Sequence, residues 1–456
     1  MELNSLTAIS PIDGRYSNST KLLRNIFSEF GFLKYRLYVE IQWLKKLINM
    51  HQILEIKKVE KTDILFLDNI FETFNEEDAI SVKNIEKETN HDVKALEYFL
   101  RKKLSQSKKL SPFLEFVHFL CTSEDINNIA YALMIKNARD EIILPLWKKI
   151  INFLKNASFQ YRNNSLLSLT HGQPATPSTM GKEMVNFYYR MQRQYHKLKK
   201  IEILGKINGT TGNYNAHLVA YPKVNWHAVS KEFITSLGIF WNPYTTQIEP
   251  HDYIAELFGC VSLFNNILID SNRDIWGYIS LNYFKQKLID QEIGSSIMPH
   301  KINPIDFENS EGNLGLSNAL MNHMINKLPI SRWQRDLSDS TVLRNIGVVF
   351  AYSIIAYNSV LLGTNKLTIN TSQLLKNLDN NWSVLSEAIQ TVMRRYTIEN
   401  AYEKLKKLTR GKKIEKVDIH KFIDKLNIPK IEKERLKKIS PSNYIGAASQ
   451  IIDEIK

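Results

Sequence analysis

Residues 345–365 read NIGVVFAYSIIAYNSVLLGTN, an apolar stretch that contains no formal charge. A helix of this length is long enough to cross a bilayer, which needs about 20 predominantly apolar residues. Polar side chains nevertheless occur throughout the stretch, at Asn345, Ser353, Asn358, Ser359 and Thr364. A helix buried in a protein bundle explains this mixture better than a membrane span does. The stretch therefore favours a bundle of long helices.

Three further stretches carry the apolar spacing of long helices. Residues 30–48 and 181–205 repeat apolar side chains at intervals of three and four, and residues 252–281 are almost continuously apolar. The chain has only 17 Gly and 13 Pro among its 456 residues, too few for the many tight turns of a sandwich, barrel or propeller. The sequence thus predicts an all-α fold with a long central helical bundle.

The chain is basic, with 60 Lys and Arg against 47 Asp and Glu and a net charge of +13. Such a surplus is compatible with nucleic acid, an acidic membrane or anionic small molecules as partners. Acidic and apolar residues interrupt the Lys-rich stretches at 57–61 and 101–109, as on solvated helix faces. Two cysteines are too few for a disulfide framework, and the N-terminal segment has no signal-peptide pattern. We therefore expect a cytoplasmic protein without nucleic-acid or membrane partners.

The segment GSSIMPHKINP at residues 294–304 is the most irregular stretch of the sequence. Its Gly and two Ser permit a mobile loop that bears hydroxyls, and Lys301 and Asn303 could hold an anionic group. A solvated connection, in which Ser and Asn cap the neighbouring helices, explains the local composition equally well. This stretch alone leaves the choice open.

Three other polar segments are candidates for chemistry. His171 begins HGQPATPSTMG at residues 171–181, which we predict to be a loop that ends at a helix start, and a histidine that titrates near neutrality is the usual general acid or base. His91 in TNHD and Thr122-Ser123 in TSEDINN lie between helical patterns, where each could instead be a helix N-cap with an acidic first turn, as SEDI at residues 123–126 would be. A lone histidine is more often structural than catalytic.

Several common cofactor motifs are absent from the sequence. GKINGTTG at 205–212 has the wrong order and spacing for a phosphate-binding loop. No HExxH occurs, no GxGxxG follows a strand-like stretch, and the eleven His form no recognisable ligand set. We expect neither a metal nor any other cofactor.

Five segments together carry a resemblance to a known family. GSSIMPHKINP matches the GSSxMPxKxN signature of the fumarase/aspartase superfamily of lyases. SPIDGRY, THGQPATPSTMGKE, TSEDINN and QRDLSDSTVLRN resemble, within it, the bacterial adenylosuccinate lyase family over nearly the whole chain. The resemblance implies an all-α, three-domain fumarase/aspartase-type fold, here divided at 1–111, 112–365 and 366–456. It also implies a homotetramer in which the long helices form a shared bundle and three subunits contribute loops to each active site.

The resemblance implies an enzyme that eliminates fumarate from a succinylated purine nucleotide. It gives the role of base to Ser295 and of acid to His171, while Lys301 stabilises the carbanion's carboxylate. The resemblance also assigns substrate binding to residues of these motifs, Lys301 included, to the N-H-D segment at 90–92, and to two residues that complete the site: Arg15, Tyr16, Asn90, His91, Asp92, Thr122, Ser123, Gln247, Ile302, Asn303, Asn309, Arg335, Ser340, Thr341, Val342, Leu343 and Arg344.

One position departs from the family pattern, which usually has Arg where this chain has Leu169. The loss of that Arg puts in doubt any role it has in orienting the loop. Argininosuccinate lyase, fumarase and aspartase share the GSS loop, but they need no phosphate site such as Arg15-Tyr16 and the STVLR segment provide. A helical scaffold or nucleic-acid binder that has lost catalysis is the alternative of another class. It would have no need of Ser295, His171 and Lys301 together.

Overall fold

The structure, a computed structural model, describes residues 1–56, 59–287, 297–411 and 413–455. Helices dominate this part of the chain, and its strands are short, none longer than seven residues. The predicted all-α class is confirmed. Four long helices match the predicted stretches; their bounds are Glu29–Ile48, Met180–Lys200, Asp252–Ser280 and Ile346–Asn365.

One predicted helix ends earlier than its apolar pattern. The pattern at 181–205 continues to Gly205, but the helix ends at Lys200 and Leu204–Gly205 instead form a short strand. That strand pairs in parallel with Phe240–Trp241. The late apolar residues of the pattern are therefore buried by strand pairing and by the loop around it, not by a further helical turn.

Two helical stretches, within residues 252–280 and 338–365, are long and apolar enough to cross a membrane. Most of each stretch is buried inside the protein, 61% of the first apolar window and 67% of the second. Burial of this extent is what a core helix of a bundle shows.

The described chain divides into two compact units. The first contains residues 1–147, 194–265 and 312–358, and the second contains residues 148–193, 266–311 and 359–456. The predicted division at residues 111 and 365 stays a prediction. Five long helices contribute residues to both units: Leu144–Gln160, Met180–Lys200, Asp252–Ser280, Ile305–Lys327 and Ile346–Asn365.

The first unit is otherwise a set of shorter helices around an apolar core that includes Leu37, Leu96 and Leu100. A π-helical segment, Ala138–Ile143, joins two of its helices into one continuous helical run. Its other α-helices are Ser17–Thr20, Arg24–Phe27, Glu29–Ile48, Lys61–Glu72, Glu76–Thr89, Asp92–Leu104, Ser123–Asn137, Asn215–Ala220, Trp226–Ser236 and Ser338–Leu343, with 3₁₀ turns at Lys21–Leu23 and Ser111–Phe116.

Polar residues of the long helices in this unit hydrogen-bond to one another. Asn265 Nδ2 donates to Asn318 Oδ1 at 3.0 Å and to Ser353 Oγ at 3.3 Å, while Asn265 Oδ1 accepts from Tyr357. The hydroxyls of Ser317 and Ser353 lie 2.8 Å apart. Because buried polar groups need partners, this network explains how polar residues are accommodated in such apolar helices.

The second unit contains a β-hairpin and a cluster of C-terminal helices. The hairpin pairs Ser165–Thr170 with Gln173–Thr179, and a second antiparallel pair joins Phe284–Gln286 to Leu367–Ile369. Most of the C-terminal helices, from the turn at Trp382–Leu385 to Lys430–Lys437, share an apolar core of their own. The C-terminal helices are Thr371–Asp379, Ser386–Arg395, Ala401–Thr409, Lys416–Asp424, Lys430–Lys437 and Ala448–Asp453, with a 3₁₀ turn at Trp382–Leu385.

Candidate active site

The candidate residues fall into two groups, each within one unit. The first unit holds Arg15-Tyr16, Asn90–Asp92, Thr122-Ser123, Gln247 and the segment from Arg335 to Arg344. The second holds His171, Lys301–Asn303 and Asn309. Ser295 lies outside the described residues.

Asn90, His91 and Asp92 form the corner between two helices. Asn90 ends the helix Glu76–Thr89 in the left-handed conformation, with φ of 50°. His91 is the N-cap of the next helix, and its Nδ1 accepts the main-chain N–H of Lys94 at 3.2 Å. A neutral ring with Nδ1 as acceptor carries its proton on Nε2. The side chain is 52% exposed, so Nε2–H is available to a ligand.

Thr122 and Ser123 begin the helix Ser123–Asn137. The cap lies at Thr122, one residue before the cap that the SEDI pattern suggests, and the Thr122 N–H donates to Asp125 Oδ2 at 2.9 Å. Both residues are half-buried. The N-terminus of a helix of this length offers unpaired N–H groups and the positive end of the helix dipole. The pair is thus suited to bind a carboxylate.

Arg335 connects Gln247 to this helix. Its Nη1 lies 2.8 Å from Glu124 Oε1 and donates to Gln247 Oε1 at 3.4 Å. Gln247 is held by two further bonds, from its N–H to Gln334 O at 3.3 Å and from Nε2 to Thr210 O at 3.2 Å. Two of the predicted binding residues are therefore in contact.

Arg344 joins the same polar network through Asp92. Asp92 Oδ2 lies 3.3 Å from Arg344 Nη2 and 2.7 Å from Arg36 Nη2, and Arg36 Nε donates to Asn127 Oδ1 at 2.8 Å. Burial raises the pKa of Asp92, but the Arg36 guanidinium and its hydrogen bond, together with Arg344, outweigh burial and hold the pKa below its usual value. The carboxylate is therefore ionised at neutral pH and orients both guanidinium groups.

Asp339 lies in the first turn of the helix Ser338–Leu343 and pairs with the buried His251. His251 Nε2 lies 3.3 Å from Asp339 Oδ2, and the Ser340 N–H donates to Asp339 Oδ1 at 2.6 Å. Burial raises the pKa of Asp339, but the hydrogen bond and charge of His251 and the charge of Arg335 hold it below its usual value. Glu249, which accepts the His251 N–H at 2.8 Å, is buried, and its pKa is raised by that burial.

The other residues of this helix differ in exposure. Thr341 is exposed and Val342 is half-buried, while Leu343 is buried, in keeping with a packing role. Arg15 is exposed on a turn whose Gly14 is buried against the carbonyl of Ser5. A cleft of about 260 Å³ between this N-terminal region and Arg344 is lined by residues that include Asp13, Arg24 and Ser28.

His171 lies at the tip of the β-hairpin in the second unit. The segment was expected to be a loop, but Thr170 pairs with Gln173 across a two-residue turn. His171 and Gly172 both have positive φ, 55° and 71°, as the twist of a two-residue hairpin turn requires. Pro174 and Pro177 do not prevent pairing, since each strand of a two-stranded sheet has a free edge. The hairpin projects the exposed imidazole from a paired scaffold.

Residues 301–303 precede the long helix Ile305–Lys327. Lys301 is exposed, and its N–H donates to Met298 O at 3.0 Å. Gln286 Nε2 donates to Ile302 O at 3.0 Å, which joins this segment to the short strand Phe284–Gln286. Asn303 is half-buried, as is Asn309 in the first turns of the helix.

Sequence reasoning missed the residues that hold the predicted ones in place, chiefly Arg36, Glu124, Asn127, His251 and Asp339. Glu124, Asn127 and Asp339 lie within the motifs quoted above, and their place in those motifs could have marked them as candidate site residues. Arg36 carries no such signal, being one charged residue of an amphipathic helix. Within the described ranges, no group of three or more His, Cys, Asp or Glu residues could hold a metal ion.

Comparison with protein families gives two matches that cover most of the chain. A family described as Lyase matches residues 14–317, and a family described as Adenylosuccinate lyase C-terminal matches residues 331–445. Among the candidate residues, Arg15, Thr122, His171 and Lys301 lie in the first match. Arg335 and Arg344 lie in the second.

Individual relatives are similar over their full length. The chain is 77% identical to an adenylosuccinate lyase of Buchnera aphidicola subsp. Acyrthosiphon pisum and 62% identical to one of Escherichia coli K12, each over all of both chains. Among solved structures it resembles a fumarate lyase from Mesorhizobium sp. BNC1, with a TM-score of 0.77, 16% identity and coverage of 95% of this chain and 96% of that one. It also resembles a 3-carboxy-cis,cis-muconate lactonizing enzyme from Pseudomonas putida, with a TM-score of 0.75, 18% identity and coverage of 95% of each chain. The solved structures support the fold.

Proposed function

The chain belongs to the adenylosuccinate lyase family, and on that premise we propose which of its residues carry the reaction. The enzyme eliminates fumarate from adenylosuccinate, giving AMP, and from succinyl-aminoimidazole-carboxamide ribotide, giving the carboxamide nucleotide, in purine nucleotide biosynthesis. A base must remove a proton from the carbon beside a carboxylate, and an acid must protonate the departing nitrogen. The observation that carries our assignment is the polar network joining Gln247, Arg335, Asp92 and Arg344 beside the Ser123 helix.

The first unit binds the anionic groups of the substrate. Thr122 and Ser123 receive a succinyl carboxylate at the helix N-terminus, where N–H groups and the helix dipole favour negative charge. Arg335 and Arg344, with Ser340 and Thr341 between them, supply donors for phosphate or carboxylate oxygens. Arg15 and Tyr16 bind the phosphate end of the nucleotide. His91 orients the substrate beside the acid.

We assign the acid to His171 and the base to Ser295. His171, on its exposed turn, donates a proton to the departing nitrogen, a role that histidine fills more often than any other side chain. Ser295 removes the carbon-bound proton. A hydroxyl is a weak base unless its proton is removed and water is excluded, so this role requires a site that is closed to solvent during the reaction. Lys301 stabilises the carboxylate of the carbanion.

Leu169 does not prevent this chemistry. Its side chain is exposed, and its position in the hairpin pairs with Pro174 in a register set by main-chain geometry. The turn that presents His171 therefore does not depend on an Arg at this position. We expect activity to survive the replacement.

The assembly proposed is a homotetramer in the cytoplasm, without nucleic-acid or membrane partners. Large apolar side chains are exposed on each of four long helices in the single chain: Tyr189, Leu263, Trp276, Leu316 and Leu362. Exposed apolar side chains on long helices are what a bundle shared between subunits would cover. The polar and charged active-site residues require no metal or other cofactor for this elimination.

Assay of adenylosuccinate cleavage by ultraviolet absorbance tests the assignment of the base. Ser295→Ala should lower kcat by about 10²–10⁴-fold, the usual contribution of a general acid or base. Substrate binding, measured by calorimetry, should remain. Ser296→Ala is the matched control, because it removes the neighbouring hydroxyl of the same loop and should retain most of kcat. A larger loss in Ser296→Ala, or turnover within tenfold of wild type in Ser295→Ala, would show that Ser295 is not the base.

A further inference from the structure

A fully buried ion pair lies behind the N-terminus of the Ser123 helix. Lys206 Nζ is 2.9 Å from Asp125 Oδ1, and both side chains are 0% exposed. Taking two charges out of water costs free energy that their attraction only partly offsets, and apolar residues of similar volume often stabilise a fold as well. The pair therefore calls for an explanation other than stability alone.

Asp125 ties two segments of main chain together. Its carboxylate accepts the N–H of Thr122 at 2.9 Å, of Asn208 at 3.0 Å and of Gly209 at 3.1 Å. Lys206 Nζ donates to Gly209 O at 3.3 Å, on the other side of the same peptide segment. The pair thus fixes the first turn of the helix relative to residues 206–209.

Two more contacts extend this connection to the substrate-binding residues. Asn128 holds the main chain of Lys206 from both sides, accepting its N–H at 2.8 Å and donating to its carbonyl at 2.9 Å. Further along the segment, Thr210 O accepts Gln247 Nε2 at 3.2 Å. The segment 206–210 therefore positions both Thr122 and Gln247, and Lys206 is its first residue.

The charge of Lys206 also has a consequence for anion binding. Asp125 is two residues from Ser123, in the first turn of the same helix. Without Lys206 its negative charge would lie unneutralised next to the N–H groups to which we assign carboxylate binding. His217, packed close to Gly209, supplies no positive charge at neutral pH, because burial lowers its pKa to about 4. His118, whose pKa is raised chiefly by Glu40 and also by Asp125, against the effect of burial, lies 2.6 Å from the Glu40 carboxylate and pairs with it. Lys206 is therefore the cation in direct contact with Asp125.

We propose that Lys206 is a positioning residue, which fixes the Thr122–Ser123 turn and cancels the charge of Asp125 so that this turn binds a substrate carboxylate. The proposal rests on the proposed role of Thr122 and Ser123 in carboxylate binding. It predicts a selective loss: binding of the dicarboxylate product should weaken, while binding of the nucleotide product should not.

Product inhibition by fumarate and by AMP measures this selectivity. In Lys206→Met the fumarate inhibition constant should rise at least tenfold, while that of AMP stays within threefold. Ser230→Ala is the matched structural control, because it removes a buried bond to Ile207 O in the same segment and leaves both charges in place. It should lower Tm without changing the ratio of the two constants. A uniform change in both constants, or none, in Lys206→Met would overturn the proposal.

Two further variants keep the test decisive. The double variant Asp125→Asn/Lys206→Met leaves no unpaired carboxylate, so it should fold even if Lys206→Met fails to fold. It should bind fumarate within about fivefold of wild type. Fumarate binding as weak as in Lys206→Met, or weaker, would contradict charge cancellation. Ser123→Ala tests the premise separately: an unchanged fumarate constant there would show that the carboxylate site is wrong, whereas a loss there with none in Lys206→Met would overturn the Lys206 proposal alone.

Discussion

Arg335 and Arg344 lie nine residues apart in the sequence and belong to the same polar network, but their side chains differ in solvent exposure. The side chain of Arg335 is 19% exposed and lies 2.8 Å from Glu124, which is only 6% exposed. Arg344 is 43% exposed, and its contacts to Glu29 and Asp92 are longer, at 3.3 Å. Removal of either guanidinium takes away a ligand donor, but only removal of Arg335 leaves a buried carboxylate without its cation.

Replacement of each Arg by Met should therefore separate stability from binding. Arg335→Met should lower the free energy of unfolding by about 3 kcal/mol, since one partner of a buried pair is lost. Arg344→Met should change it by less than about 1 kcal/mol, as for an exposed pair. Both variants should raise KM for adenylosuccinate about tenfold or more, the effect of one lost charge-assisted hydrogen bond. Urea unfolding and steady-state kinetics measure the two effects.

Equal losses of stability in the two Arg variants would contradict this assignment of burial. An unchanged KM in Arg344→Met would instead show that Arg344 serves only Glu29 and Asp92. The comparison is internally controlled, because both substitutions remove the same charge and leave the same side chain.

At the residue scale, the sequence was informative where residue types are unusual for their surroundings. Arg335, Gln247 and Asp92 were predicted to share a site, and the structure joins Arg335 to Gln247 directly and Asp92 to Arg344. Their partners Arg36 and Glu124 look like ordinary residues of helix surfaces. Their partners are remote in sequence, because Arg36 lies 56 residues before Asp92 and Glu124 lies still farther before Arg335, and only tertiary packing brings them together.

At the scale of elements, helices with one apolar face were predictable, because burial of that face repeats every three to four residues. The hairpin that carries His171 was not. Two prolines and two glycines in HGQPATPSTMG indicate a loop, and the decisive feature is the turn geometry at His171 and Gly172. Positive φ at both turn residues cannot be recognised from a His-Gly pair as readily as from Asn-Gly.

Gly172 should be the residue that sets the direction of the His171 side chain. A Cβ at this position would meet no atom within 4 Å, so a substitution there tests backbone strain and not crowding. Gly172→Val should lower kcat at least tenfold and reduce hairpin stability, since the left-handed conformation is unfavourable for a β-branched residue. Gly172→Asn should retain most activity, because Asn tolerates that conformation. Steady-state kinetics with circular dichroism melting measure both.

Equal activity in the Val and Asn variants of Gly172 would contradict the turn's role in presenting His171. Equal loss in both would show that the position excludes any side chain, which points to close approach by another group and not to strain. Neither result would bear on the role of His171 itself.

At the scale of the whole molecule, the long helices and the all-α class followed from composition and spacing, whereas the arrangement of the chain did not. Each of the two compact units takes three separate stretches of sequence, and the long helices contribute to both. Composition and spacing describe neighbours along the chain, and an arrangement inferred from them assumes that neighbours in sequence are neighbours in space. Long helices weaken that assumption, since 29 residues from Asp252 to Ser280 span about 44 Å.

The exposed apolar residues of the long helices lead to the last prediction, which concerns assembly. Leu316 is 52% exposed on the helix Ile305–Lys327, and Leu263 is 45% exposed on Asp252–Ser280. Light scattering should give four times the chain mass of 53.0 kDa for the wild type. Leu316→Glu or Leu263→Glu should reduce that mass, because a charge buried in an apolar interface is costly. Activity should fall with it, since each site would draw on three subunits.

Ile431→Glu, which changes an exposed residue of a short C-terminal helix, is the control and should preserve both mass and activity. A wild-type mass of one chain, with full activity, would contradict the shared site.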